Sequence, residues 1–375
     1  MIKKLSIYIL VLLNLFIFIA PSYAMGDLPP GKKIELRVLV LKNAASLRLH
    51  IKGEYRIADL IKDEVIEEGK YLREKVISVQ GLDRKGIKIM PKERTRVYIN
   101  NRQFRGDIDI VKDDKNKLLV INHIDIEEYL YGVLYHEVSH KWPMEALKAQ
   151  AITARTYALY QKITTTNKYF DLTSDIYSQV YGGQTSETWR TNQAVNFTRG
   201  MVLTYEGKIF PTYFHATCGG YTERAGNVWD IDLPPLYGRK CEYCSFSPHY
   251  TWKKDFLTKD IEDRLKKSGY DIKMSSIKIL ERDSSGRVSK ISIKSDKDEV
   301  VLTGNKFRLA VGPNLIRSSN FTVKLGGKYI FFEGKGWGHG VGMCQWGAYG
   351  MSRKGWKVDN ILEFYYPGAK IMRIN

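Results

Sequence analysis

Glu137 is the residue whose setting most invites chemistry. It closes an apolar-aromatic segment just ahead of a proline, within YLYGVLYHEVSHKWPMEALKAQAITARTYALY over residues 129–160. Burial at a junction of two helices favours the neutral form of a carboxyl, which would suit it to acid work near pH 7. Arg155 lies on the second of those helices, beside its small-residue stripe. The same stretch spells His136-Glu137-Val138-Ser139-His140, the H-E-x-x-H pattern of zinc metallopeptidases, with two histidine ligands on one helical face and a glutamate base. Pro143 follows His140 by three residues, so a helix carrying both histidines must end or kink at once, which weighs against that reading. A second candidate centre comes from the four cysteines. Cys241-x-x-Cys244, with His215-x-x-Cys218 upstream, predicts a zinc site of three cysteines and a histidine. His249 or His339 could replace His215, and Cys344 could be the fourth ligand. Disulfides are the competing reading if the chain is exported to an oxidising space.

The elements that must position these groups follow from pattern. Tyr129, Leu130, Val133, Leu134 and Val138 recur at helical spacing, and a second helix is expected from Pro143, with Leu147, Ala151, Ala154 and Ala158 as its inner stripe. Residues 34–120 alternate in short runs such as ELRVLVL and DIDIV, separated by turn residues, as antiparallel strands do. The stretches MVLTYEG and IFPTYFHAT form a predicted hairpin turning at Glu206-Gly207. Residues 252–323 read as two short helices and paired strands around the Asp283–Gly286 turn. Glycines 334, 336, 338, 340 and 342 occupy every second position, which predicts an extended strand with one bare face. The fold class is therefore α+β. An N-terminal β-rich domain spans residues 25–120, and a helical core with β-hairpins spans 121–251 and 324–375. A small α+β subdomain is inserted at 252–323.

The opening MIKKLSIYILVLLNLFIFIAPSYA has two lysines, an apolar run and a small-residue end, so residues 1–24 read as a signal peptide. Uncut, it would tether the chain to a membrane. Either way the chain is expected outside the cytoplasm, in the periplasm, cell wall or at the membrane surface. The net charge of +18 favours a polyanionic partner, and outside the cytoplasm an anionic wall polymer fits better than nucleic acid.

Three blocks carry a family resemblance: residues 129–159, the SDIYSQVYGG and AVNFTRGMVLTYEGKIFPTYFHATCGG stretch, and GKGWGHGVGMCQWGAYGM with FYYPG. In this order they resemble the sporulation stage II protein D / LytB family of peptidoglycan-active proteins, over residues 120–375. The resemblance implies a lytic transglycosylase, or else a non-catalytic, wall-binding activator of a cell-wall amidase. It implies that Glu137 is the catalytic acid and Arg155 a residue activity needs. The lytic reaction breaks the bond between N-acetylmuramic acid and N-acetylglucosamine and leaves 1,6-anhydro ends. It needs one acid, because the attacking hydroxyl belongs to the sugar itself, whereas a hydrolase uses a second carboxylate. No cofactor is required for that chemistry. Tyr177, Gln179, Tyr181, Trp337, His339, Gln345 and Trp346 are the candidate substrate contacts, by hydrogen bonding and by stacking on sugar rings.

Overall fold

The computed structural model describes residues 33–83, 85–175 and 178–374. The predicted signal peptide and Tyr177 lie outside the described residues. Eight strands build most of one large sheet: β1 (Glu35–Ala44), β2 (Ser46–Asp59), β3 (Val65–Ser78), β4 (Gly86–Pro91), β5 (Arg96–Ile99), β6 (Arg102–Phe104), β7 (Asp107–Lys112) and β8 (Leu118–Asp125). Its order is β6-β5-β2-β4-β7-β8-β1, with β3 also paired to β2. The short β9 (Leu172–Thr173) adds in parallel to β1 at the other edge. Alternate side chains of β2, β7 and β8 point inward, so Leu49, Ile51, Ile108, Ile110, Val120 and Ile124 make one apolar layer.

Helix α1 (Ile126–Glu137) starts directly from β8, where the Asp125 side chain accepts the Glu127 N–H. Helix α2 (Met144–Thr164) begins after Pro143, which needs no N–H there. Leu147, Ala151, Ala154 and Ala158 join the core beneath the sheet, while Ala149 and Ile152 of the same helix join a second core. A helix with apolar residues on both sides must be covered on both, and α2 is the rod between two cores. Helix α3 (Trp189–Phe197) packs across α1 and α2.

β10 (Met201–Tyr205) and β11 (Lys208–Ile209) form the expected hairpin, with positive φ at Glu206 and Gly207 as a tight two-residue turn requires. β12 (Phe214–His215) precedes a one-turn helix α4 (Gly226–Trp229). Residues 251–335 then wind around their own core of Trp252, Ile261, Leu265, Ile291, Phe307 and Phe332. Their elements are β13 (Thr251–Leu257), α5 (Thr258–Lys267), β14 (Ser276–Arg282), β15 (Val288–Lys294), β16 (Glu299–Leu302), α6 (Gly304–Val311), β17 (Phe321–Gly326) and β18 (Tyr329–Lys335). β19 (Met343–Cys344) returns to pair in parallel with β12. Helix α7 (Gln345–Arg353), helix α8 (Val358–Tyr365) and β20 (Lys370–Arg373), which pairs with β10, complete the α+β fold.

The glycine-rich stretch corrects an expectation. The strand stops at Lys335, and glycines 336, 338, 340 and 342 all have positive φ, between 69° and 114°. L side chains rarely adopt that backbone, so an irregular path replaces the predicted strand. Close approach is nonetheless what these glycines permit. A Cβ at Gly338 would meet His215 at 2.7 Å, and one at Gly340 the Arg287 guanidinium at 2.6 Å.

Candidate active site and four-cysteine centre

Helix α1 ends at Glu137 because the chain turns extended at Val138, and a Ser139–Trp142 turn leads into α2. Arg190 pins that turn by donating to the carbonyls of His140 and Trp142, both at 2.9 Å. Glu137 accepts two long hydrogen bonds, from the Val180 N–H at 3.3 Å and from Nε2 of Gln345 at 3.4 Å. Gly132 brings Val180 within reach. A side chain there would meet the Tyr181 ring at 2.6 Å, and the bare backbone accepts from the Gly182 N–H instead. Glu137 is half-buried, and the loss of water around its carboxyl pushes it up to about 7, while the two donors pull the other way. The negative end of the α1 dipole acts in the same direction as burial. Among the described residues no cation pairs with Glu137. Such a group can hold a proton at neutral pH and give it up.

The histidines beside it do not form a zinc site. His136 Nε2 shares a hydrogen bond with Ser186 Oγ at 2.7 Å, and His140, past the end of the helix, stacks on Tyr135.

Arg155 is not among the partners of Glu137. Its guanidinium is fully buried and forks onto Glu127 in the first turn of α1, at 2.9 and 2.6 Å, with further bonds to the carbonyls of Met201 and Val195. Ten residues of α1 separate Glu127 from Glu137, about 15 Å along the axis.

Three expected substrate contacts are internal instead. Gln179 is buried, accepting from the Tyr129 hydroxyl and donating to the Ala154 carbonyl. Tyr181 is buried and donates to Asn122 at 2.9 Å. Gln345 is 6% exposed and spans Glu137 and Gln150, so it faces the acid rather than open space. Trp346 is half-buried, with Trp142, Tyr349 and Phe246 around it. Trp337 is half-buried between Arg317 and the His249 ring. His339 accepts the Val341 N–H through Nδ1 and packs edge-on against Trp229 and Tyr213. Tyr157, whose hydroxyl burial and nearby Glu137 push up to about 12, was not singled out by pattern. Nor was Tyr213, which packs against Tyr157 and stacks on Trp229 at 4.2 Å. Both tyrosines look like ordinary core aromatics in the sequence.

The cysteines converge. Ligand atoms of Cys218, Cys241, Cys244 and Cys344 all lie within 4.8 Å of one another, and every one is buried. His215 is not among them, which corrects the expected ligand set. β12 and β19 put His215 opposite Cys344 in register, but the imidazole turns to the Val341 carbonyl at 3.0 Å. Cys344 takes the fourth place. Zinc–thiolate bonds of about 2.3 Å place tetrahedral sulfurs about 3.8 Å apart. Four sulfurs within 4.8 Å, with Cys218 and Cys244 at 3.3 Å, fit that cage. Donors already aim at the sulfurs: the N–H groups of Cys218 and Gly347 at Cys344, and the Tyr365 hydroxyl, at 3.2 Å, near Cys241. The set is close enough to hold a metal ion.

The family described as stage II sporulation protein matches residues 114–205, and a domain family of unknown function matches residues 242–342. An uncharacterized protein of Brachyspira hyodysenteriae is 36% identical, across 91% of this chain and 93% of its own length. Stage II sporulation protein D of Bacillus subtilis is 31% identical, across 67% of this chain and 75% of its own length. The amidase enhancer of Bacillus subtilis is 30% identical over 64% of this chain, which spans 40% of that longer protein. The family match spans the helical junction that holds Glu137, and with the 31% identity across three quarters of stage II sporulation protein D it shows that the chain belongs to the stage II sporulation protein D / LytB family.

Proposed function

We propose that the protein is an exported lytic transglycosylase of peptidoglycan in which Glu137 is the single acid–base group. Family membership supports a cell-wall-related role. The observation that carries the finer reading is the placement of Glu137, half-buried at the junction of α1 and α2 with two long hydrogen bonds and no cation beside it among the described residues, which holds its carboxyl up to about 7. Its proton goes to the glycosidic oxygen between N-acetylmuramic acid and N-acetylglucosamine, and the bond to the anomeric carbon breaks. The 6-hydroxyl of the muramyl residue attacks that carbon and closes the 1,6-anhydro ring. The hydroxyl proton returns to the Glu137 carboxylate, so the group ends as it began. Half-exposed Trp337 and Trp346 are the stacking surfaces in this reading.

Zinc is the metal the four thiols suit best, as soft ligands in a closed tetrahedral set. Cys218, Cys241, Cys244 and Cys344 would hold it, and its contribution there would be structural, since all four positions are protein thiolates. The remaining chain supplies the acid and its donors. Leader cleavage after Ala24 and the division into domains at residues 120 and 252 belong to this reading, with the end of the inserted subdomain moved from 323 to about 335 because β18 shares its core. Among the described residues no helix is long and apolar enough to cross a membrane.

A second reading has an observation of its own. The similarity to a protein named amidase enhancer favours a wall-binding partner of an amidase that uses the same surface without cleaving glycan. Mass spectrometry of products separates the two. Residues 25–375 are incubated with peptide-stripped and peptide-bearing glycan strands, with Glu137→Gln alongside. Anhydro-ended products that vanish in the variant establish the transglycosylase. Reducing ends would make it a hydrolase, and binding without products would favour the activator.

A further inference from the structure

The four-cysteine centre and Glu137 are joined by one peptide bond and one side chain. Cys344 is both a member of the thiol cluster and the N-cap of α7, its sulfur accepting the Gly347 N–H at 3.3 Å. The next residue, Gln345, is the first of α7, and its amide nitrogen points at Glu137 Oε2 and at Gln150 Oε1, each at 3.4 Å. Gln150 lies on α2 and is fully buried, with its own amide nitrogen unpartnered. The Gln345 amide therefore bridges the end of α1 to the middle of α2, and only α7 decides where it stands.

Two features make α7 follow the cysteine cluster closely. Gly347 and Gly350, one turn apart, face the loop that carries Cys241 and Cys244. A Cβ at Gly347 would touch the Tyr365 hydroxyl and lie 3.1 Å from Cys241 Sγ, and one at Gly350 would strike the Tyr243 carbonyl. Cys344 is held twice more, by the Cys218 N–H at 3.2 Å and by the β12–β19 pairing. Bare helix surface against a rigid cage leaves no soft layer to absorb movement between them.

We propose that Gln345 is a positioning residue for Glu137, and that a metal ion in the four-cysteine centre locks it there through Cys344. The ion would set the placement of an acid that it does not ligate. This rests on the reading of Glu137 as the working group, but its test does not need glycan cleavage.

The experiment is carbodiimide labelling of Glu137 in the full chain, followed by peptide mass spectrometry, with exposed Glu206 as internal reference. Four samples are compared: the parent and Gln345→Ala, each loaded with one equivalent of zinc ion or stripped by a chelator. Loss of a hydrogen bond to the carboxyl should raise labelling about three- to tenfold. Gln345→Ala should still bind one zinc and show that rise. Stripping the parent should reproduce it, and stripping the variant should add little, because both changes remove the same restraint. Labelling unchanged by Gln345→Ala would overturn the positioning role. Labelling of the parent unchanged by stripping, or two effects that multiply, would remove the metal from the path. Global unfolding on stripping, read by near-ultraviolet circular dichroism, would also overturn the proposal, by making the ion a general fold ligand. Failure of the transglycosylase reading would appear separately, as absent anhydro products with this labelling pattern intact.

Discussion

Helix α1 carries a glutamate near each end, and the two are held in opposite ways. Glu127 is buried at the first turn, where it receives both arms of Arg155 and the Gly200 N–H at 2.9 Å. Every contact there is short and charge-assisted, so the group is committed to joining α1 to α2. Glu137, at the last turn, has two bonds of 3.3 and 3.4 Å and no counter-charge among the described residues. One carboxyl has been neutralised by partners and the other by its proton. A buried acid with a fork of donors holds a fold together, whereas one left short of donors keeps a transferable proton. The comparison also relocates Arg155: it fixes the helix whose far end bears Glu137.

The largest expected effect falls on the loosely held end. Glu137→Gln should lower the rate of anhydro-product formation by about 10²–10⁴-fold, as general acid–base groups do, with an unchanged circular dichroism spectrum. Normal turnover by that variant would end the distinction between the two glutamates.

Breaking the tight end should act on stability first. Arg155→Ala leaves Glu127 buried and unpaired, and urea unfolding should register a loss of about 3–5 kcal/mol. The double variant Glu127→Leu with Arg155→Met should recover most of it, because no charge is then stranded. Full stability in Arg155→Ala would mean that the pair is not the clamp the geometry describes.

A third test uses pH. The Glu137 proton is held up to about pH 7 in the folded chain, against an ordinary carboxyl value of 4.5. Between those values the native state binds more protons than the unfolded one, so this group's stability contribution is full below about 4.5 and is lost as pH rises to about 7. Gln at this position has no such slope. Glu137→Gln should match the parent in stability at pH 4 and exceed it at pH 8 by about 1–3 kcal/mol. Thermal unfolding at the two pH values checks this, and a gap of the same size at both would sink the raised value.

The smallest effect concerns the donor to Glu137. Gly132→Ala forces the Tyr181 ring and the 182–183 backbone away from α1, at a cost of about 1–3 kcal/mol. Because Val180 moves with them, the variant should lose more in kcat than in binding of glycan strands. An effect on stability alone would confine Gly132 to packing.

Much of this molecule is legible in its sequence. Period-two alternation marks β1, β2, β7 and β8, because a sheet with one buried face admits little else. Helical spacing and Pro143 determine α1, the break after Glu137 and the start of α2, since proline settles those bounds locally. The same break put the H-E-x-x-H histidines on different elements. What the pattern could not decide was which polar side chains meet across elements distant in sequence. Arg155 meets Glu127 rather than Glu137, Gln345 turns inward to the acid, and Cys344 displaces His215 from the thiol cluster. Alternating glycines read as a strand, yet they follow a path of positive φ set by the backbones and side chains that press on them. Local sequence determines where an element begins and which face is apolar. Long-range packing alone decides which carboxyl finds a cation, and that leaves one glutamate to carry a proton.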